Sequence, residues 1–163
     1  MHHLYHGSGY RHTELKPGIH YTGVKVEWDK SESNEWLYAT SVMEEAISQG
    51  LASVVEKHFA MSRFKSSGRT LEFIFEGVPP TLREIEALTV YLYKLDWHKD
   101  IWVAVNNLHN GMKHEYKTKE IIPAGMINYC KQVDLKTYLR RKEVILSSAR
   151  FAMNWSTKEK RNS

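Results

Sequence analysis

Three short islands of this sequence combine residue types that do chemistry. They are His6-Gly7-Ser8 after an apolar Leu4-Tyr5, Tyr38 just ahead of Ala39-Thr40-Ser41, and Glu115 within His114-Glu115-Tyr116. Other chemistries are excluded by what the sequence lacks. Gly7-Ser8-Gly9 is followed by no Gly-Lys-Ser/Thr, so there is no phosphate-cradling P-loop, and no Gly-x-Gly-x-x-Gly dinucleotide fingerprint occurs. His2, His3, His6, His12 and His20 crowd the N-terminal part, but no pair stands at i, i+4 on a helix with a Glu between, as a zincin needs. No metal is expected. A serine hydrolase would need Gly-x-Ser-x-Gly on a strand-to-helix elbow, and His6-Gly7-Ser8-Gly9 is not that.

The elements that must position these islands can be read from periodicity and turn chemistry. Leu4-Tyr5-His6 reads as a strand ending in a Gly7-Ser8-Gly9 turn, and Leu15-Lys16-Pro17-Gly18 as a further turn. After the polar loop Asp29 to Asn34, Trp36 to Ala39 reads as a second strand. Ser41-Val42-Met43-Glu44 has the form of a capping box, and the spacing of Ala46, Ile47, Gly50, Val54, Val55 and His58 predicts a helix from Val42 to His58. Leu71 to Phe75 alternates as a strand. Thr81-Leu82-Arg83-Glu84 is a second capping box, and Leu82, Ile85, Leu88, Leu92 and Leu95 predict a helix from Leu82 to Leu95. Trp102 to Val105, Tyr116 to Thr118 and Met126 to Tyr129 read as strands, with Asn110-Gly111 as a hairpin turn. Two helices among strands that do not alternate with them predict an α+β fold.

At 163 residues, 42% hydrophobic and 26% charged, the chain fits one soluble globular domain, expected over residues 1–155, with residues 156–163 as a basic flexible tail. No apolar run suits a membrane span or a signal peptide, so a cytoplasmic protein is expected. The single cysteine, Cys130, allows no internal disulfide and reads as a small buried hydrophobe. The net charge of +4 is uneven: Lys136 to Ser163 carries eight Lys or Arg against two Glu. Arg140, Arg141, Lys142 and Arg150 therefore form a candidate contact for nucleic acid or an acidic protein, or simply a solvated end.

Taken in order, Leu4-Tyr5-His6-Gly7-Ser8, Leu15-Lys16-Pro17-Gly18, Leu37-Tyr38-Ala39-Thr40-Ser41 followed by Glu44, Glu45 and Ala46, and His114-Glu115-Tyr116-Lys117-Thr118 resemble the ADP-ribosyltransferase superfamily. The resemblance is to its His-Tyr-Glu branch, which holds the poly(ADP-ribose) polymerases and, with Asp as third residue, the rifampin ADP-ribosyltransferases. It implies a compact α+β fold of two small antiparallel sheets forming a cleft with flanking helices, and NAD as co-substrate. It further implies that His6 hydrogen-bonds the adenosine ribose, that Gly7 holds the nicotinamide carboxamide through its backbone and that Ser8 adds a polar contact there. Tyr38 would stack on the nicotinamide ring, and Glu115 would bond the nicotinamide-ribose hydroxyl and set negative charge beside the forming cation. The catalytic set implied is Glu115, His6 and Tyr38.

Each island also has a simpler reading. His6 could be a strand-end histidine satisfied by backbone, Tyr38 a core or rim residue, and Glu115 a solvated hairpin acid; Glu76, after Phe73-Ile74-Phe75, is the rival acid and Glu120 a further one. The second aromatic of the polymerases has no clear counterpart, with Phe59 or Phe64 as candidates. Trp28, Trp36, Trp97 and Trp102 read as structural, because their spacing forms no ladder for stacking bases. The length is too short for the helical regulatory domain of the large polymerases, which favours a compact toxin-like or antibiotic-modifying format. The acceptor of ADP-ribose would be a protein, a nucleic acid or a small molecule. Hydrolysis of NAD on the same site and a non-catalytic binding module are the alternatives.

Overall fold

A computed structural model describes residues 3–17, 36–105 and 115–149. Its strands are β1 (His3–Ser8), β2 (Leu37–Thr40), β3 (Met61–Ser67), β4 (Thr70–Phe75), β5 (Tyr91–Asp96), β6 (Val103–Ala104), β7 (Glu115–Thr118), β8 (Ile127–Gln132) and β9 (Glu143–Ser148). The helices are α1 (Met43–His58), α2 (Leu82–Glu86) and α3 (Leu135–Arg140), with a 3-10 turn at Ala124–Met126. Six strands form one antiparallel sheet in the order β6-β7-β2-β1-β5-β8, and three form a second in the order β3-β4-β9. The α+β class stands. The second sheet, however, is mixed and not antiparallel throughout, because β9 runs parallel to β4 from Thr70↔Glu143 to Phe75↔Ser148. Among the described residues no helix is long and apolar enough to cross a membrane.

The large sheet is covered on both faces. On one side Leu4, Leu15, Leu37, Ala39, Tyr93, Leu95, Trp102 and Ile122 form a buried cluster. On the other, α1 packs with Leu92, with Leu71, Phe73 and Phe75 of β4, and with Leu135, Tyr138 and Leu139 of α3. Buried residues go nearly all round α1, as expected of a helix packed on more than one side. One stripe of it lies directly on β1. A Cβ on Gly7 would stand 2.0 Å from the Ala46 carbonyl oxygen, one on Gly50 2.8 Å from the Gly7 carbonyl carbon, and one on Gly9 2.8 Å from a Val54 methyl. Gly7 and Gly50 therefore allow backbone to meet backbone.

Three expectations need correction. The helix predicted from Leu82 to Leu95 ends at Glu86, and Tyr91–Asp96 is strand β5, the neighbour of β1. Because both faces of the sheet are covered, Leu92 and Leu95 are buried on opposite sides, and such a strand lacks simple alternation, so the leucines imitate helical spacing. The capping box expected at Ser41-Glu44 is absent: Val42 is the N-cap, with no side-chain bond. Thr40 brackets the helix start instead, its Oγ1 accepting from the Val42 N–H at 3.1 Å and donating to Glu45 Oε2 at 2.9 Å. Glu44 turns away to pair with Lys142 Nζ at 3.0 Å. The strand β1 also continues through Gly7 to Ser8, beyond the turn expected at Gly7.

The box at Thr81 is formed as expected, Thr81 Oγ1 accepting from the Glu84 N–H and Glu84 Oε1 accepting from the Thr81 N–H. Thr81→Ala is expected to cost about 1 kcal/mol, read as a lowered urea midpoint at unchanged slope. Strand β3, largely exposed and bearing Arg63 and Lys65, shows the charge and weak apolar alternation of an edge strand, which left no signal in the sequence. The strand expected at Trp102 to Val105 is only Val103–Ala104, and those at Tyr116 and Met126 are β7 and β8. Asn110-Gly111, His114, Trp28, His2, His20, Gly18, Arg150 and the tail 156–163 lie outside the described residues.

Candidate active site

Strands β1, β2 and β7 are neighbours, so His6, Tyr38 and Glu115 come from three adjacent strands of one sheet. Residues opposite each other in a ladder share a face. Thr40 opposes Glu115 and Tyr5, and Tyr38 opposes Lys117. Tyr5 packs on the α1 side, whereas Leu37 and Ala39 belong to the opposite cluster, so Tyr38, Thr40, Glu115 and Lys117 lie on the α1 side. Tyr38 is half-buried and Glu115 is 6% exposed. Glu115, whose simpler reading is a solvated hairpin acid, is buried and lies one ladder step from Tyr38.

His6 is placed differently. It opposes Tyr93, on the face of Leu4, and is 6% exposed. Its contact with Tyr38 runs through the main chain, Nδ1–H donating to the Tyr38 carbonyl oxygen at 2.7 Å. That bond fixes the tautomer, so in the neutral ring Nε2 is the acceptor nitrogen. β1 and β2 are registered only at Tyr5↔Thr40, and the imidazole bridges them where their ladder has ended. His6 is thus bonded to backbone, as its simpler reading holds, but it sits inside β1, two residues before the strand's end, where β1 and β2 part.

Ser8 is buried, and its Oγ accepts from the Tyr10 N–H at 3.1 Å, which turns the chain after β1. The turn is clamped from below by Tyr93. Its hydroxyl donates to the Tyr10 carbonyl at 2.7 Å and accepts from the His12 N–H at 2.6 Å, while its ring lies 6.0 Å from that of His6. Burial pushes the Tyr93 phenol well above the usual tyrosine range, so it remains a neutral donor. No signal in the sequence distinguished Tyr93 from the tyrosines around it. Tyr93→Phe is expected to cost about 1 kcal/mol by stranding both backbone partners, with faster amide exchange at His12.

The rival acids sit elsewhere. Glu76 is exposed after β4 of the small sheet, and Glu120 is exposed beyond the end of β7. Phe59 and Phe64 pack against the α1-side core, Phe64 tilted on Phe73 at 5.0 Å. Comparison with known proteins found no matching family model, no matching curated protein and no matching solved structure.

Of the basic residues near the C-terminal end, Arg140 and Arg141 are exposed at the close of α3, whereas the Lys142 side chain is 12% exposed and committed to Glu44. Cys130 is a half-buried free thiol on β8, opposite Tyr93. Among the described residues no three His, Cys, Asp or Glu converge as metal ligands. A pocket between Gly9, Tyr10, Val54, Lys57, Leu88 and Thr89 opens beyond the end of β1, with Lys57 Nζ 4.1 Å from the centre of the Tyr10 ring, and does not include Tyr38 or Glu115.

Proposed function

We infer that the chain is an NAD-dependent ADP-ribosyltransferase. The observation that supports this reading best is the placement of Tyr38 and buried Glu115 one ladder step apart on one face, with His6-Gly7-Ser8 on the next strand. The chemistry needs little more. The nicotinamide leaving group is already cationic, so cleavage of its bond to ribose calls for orientation and for negative charge beside a cation-like transition state. A dry carboxylate supplies that charge more effectively than a solvated one. Tyr38 offers a ring wall for an aromatic cation. His6 Nδ1–H is held by the Tyr38 carbonyl oxygen, which fixes the ring that the resemblance assigns to a ribose hydroxyl.

Gly7 fits with a restriction. The side where its Cβ would point is filled by α1, so a carboxamide can meet it only through the N–H and C=O in the plane of the sheet. In the balanced reaction the nicotinamide–ribose bond breaks with its electron pair leaving on nicotinamide, and the acceptor forms the new bond and gives up a proton. The test is nicotinamide release from NAD by purified protein, with and without cell lysate. Release that depends on lysate and falls in both His6→Ala and Glu115→Gln supports a transferase; free ADP-ribose without lysate would make water the acceptor. No release and no NAD binding overturns the reading.

A further inference from the structure

The ladder that places Glu115 beside Tyr38 continues past them. Two residues from Glu115 along β7 is Lys117, opposite Tyr38, and two further on is Lys119, alongside Trp36. Lys117 Nζ lies 4.3 Å and Lys119 Nζ 4.8 Å from the centre of the Trp36 ring, so two ammonium groups converge on one indole. Trp36, Tyr38 and Lys117 are half-buried and Lys119 is exposed. On the α1 side of the sheet, the row thus reads acid, then aromatic with lysine, then aromatic with lysine, each step about 7 Å along the strands.

We propose that this face binds single-stranded nucleic acid, and that the strand is the acceptor of ADP-ribose. The second clause rests on the transferase reading; the first does not. Every base has a π-face that can stack on an aromatic ring, and the lysines that lie over the indole would swing off it to meet the phosphates as point charges, without sequence preference. An acidic peptide would use the charges and leave the indole without a role. A duplex, whose bases are already stacked, would use only the lysines. The donor contacts expected of His6, Gly7 and Ser8 lie across the sheet on β1, whereas the Trp36 row runs off along β2 and β7. A strand seated there brings its nucleophile to the Glu115 end of the row. In the transfer an O–H or N–H of the strand bonds to ribose C1′, nicotinamide leaves with the electron pair, and the proton passes to solvent.

The test uses the full chain and a fluorescein-labelled mixed-sequence oligonucleotide of about 16 nucleotides, as RNA and as DNA, read by anisotropy across a salt series. The double variant Lys117→Gln/Lys119→Gln is expected to lower the magnitude of the slope of log K against log salt by about 1.4, the equivalent of two single-strand phosphate contacts. Trp36→Ala should weaken binding about tenfold or more, and Trp36→Phe should keep most of it. The urea midpoint and its slope should be unchanged in all three variants, which reports that they fold. Absent or salt-independent binding by the unaltered chain, equal binding of polyglutamate, or lysine variants that raise the KM for NAD instead would overturn the face. Strand binding without any nicotinamide release would overturn the acceptor role together with the transferase reading, and leave the face standing.

Discussion

Glu115→Gln is expected to lower kcat for nicotinamide release by about 10²–10³-fold and to leave the KM for NAD nearly unchanged. The substitution keeps shape and one oxygen and removes the charge. A residue whose negative charge matters only when positive charge develops opposite it acts in the transition state, so kcat falls and ground-state binding does not. Burial makes the effect large: at 6% exposure little solvent is left to screen the carboxylate. The same change at exposed Glu76 should move neither constant, which makes it the matched control. If Glu115→Gln instead raises KM at constant kcat, the carboxylate only binds, and the proposed mechanism is wrong.

Gly7→Ala is expected to destabilise the fold by about 3 kcal/mol, at the upper end of overpacking costs. A Cβ there meets the Ala46 carbonyl oxygen at 2.0 Å, and a backbone atom cannot rotate out of the way as a side chain can. Gly50→Ala is the sharper comparison, since the new methyl meets Gly7 backbone at 2.8 and 2.9 Å and Val90 Cγ1 at 3.0 Å. Helix propensity alone favours alanine there by about 1 kcal/mol. That gain offsets part of the clash, so a net loss of about 2 kcal/mol is expected. Gly77, with nothing within 4 Å, should accept alanine without loss. Urea denaturation at constant slope measures all three. Equal stabilities would mean that α1 does not rest on β1 as described, and Gly7 would then be left with only a ligand to explain it.

The parts of the fold written in local chemistry were legible. Thr81 and Glu84 satisfy each other within four residues, and α1 keeps its helical period for four turns; both needed only neighbouring residues to form. Strand β5 was not legible, because Leu92 and Leu95 serve cores on opposite faces and the intervening pattern favours neither period. Ser41 and Glu44 made a capping signal that tertiary contacts overrode, Glu44 going to Lys142 on a distant element. For the candidate site, the resemblance singled out His6, Tyr38 and Glu115. Which face each side chain takes was not readable, since it depends on the register that pairs Thr40 with Glu115 and His6 with Tyr93. The spacing of the tryptophans alone suggested no stacking surface. The row at Trp36 appears only when a tyrosine on its own strand and lysines on the next are set beside it.

The parallel seam between β4 and β9 sets an order of events as the chain is made. Its partners are roughly 70 residues apart, so the middle strand of the small sheet must wait for the last described strand before its second edge is closed. On the ribosome, Leu71, Phe73 and Phe75 emerge early and stay open on one side while the rest of the sequence is translated. That interval is when the nascent protein is most exposed to chaperones and to self-association.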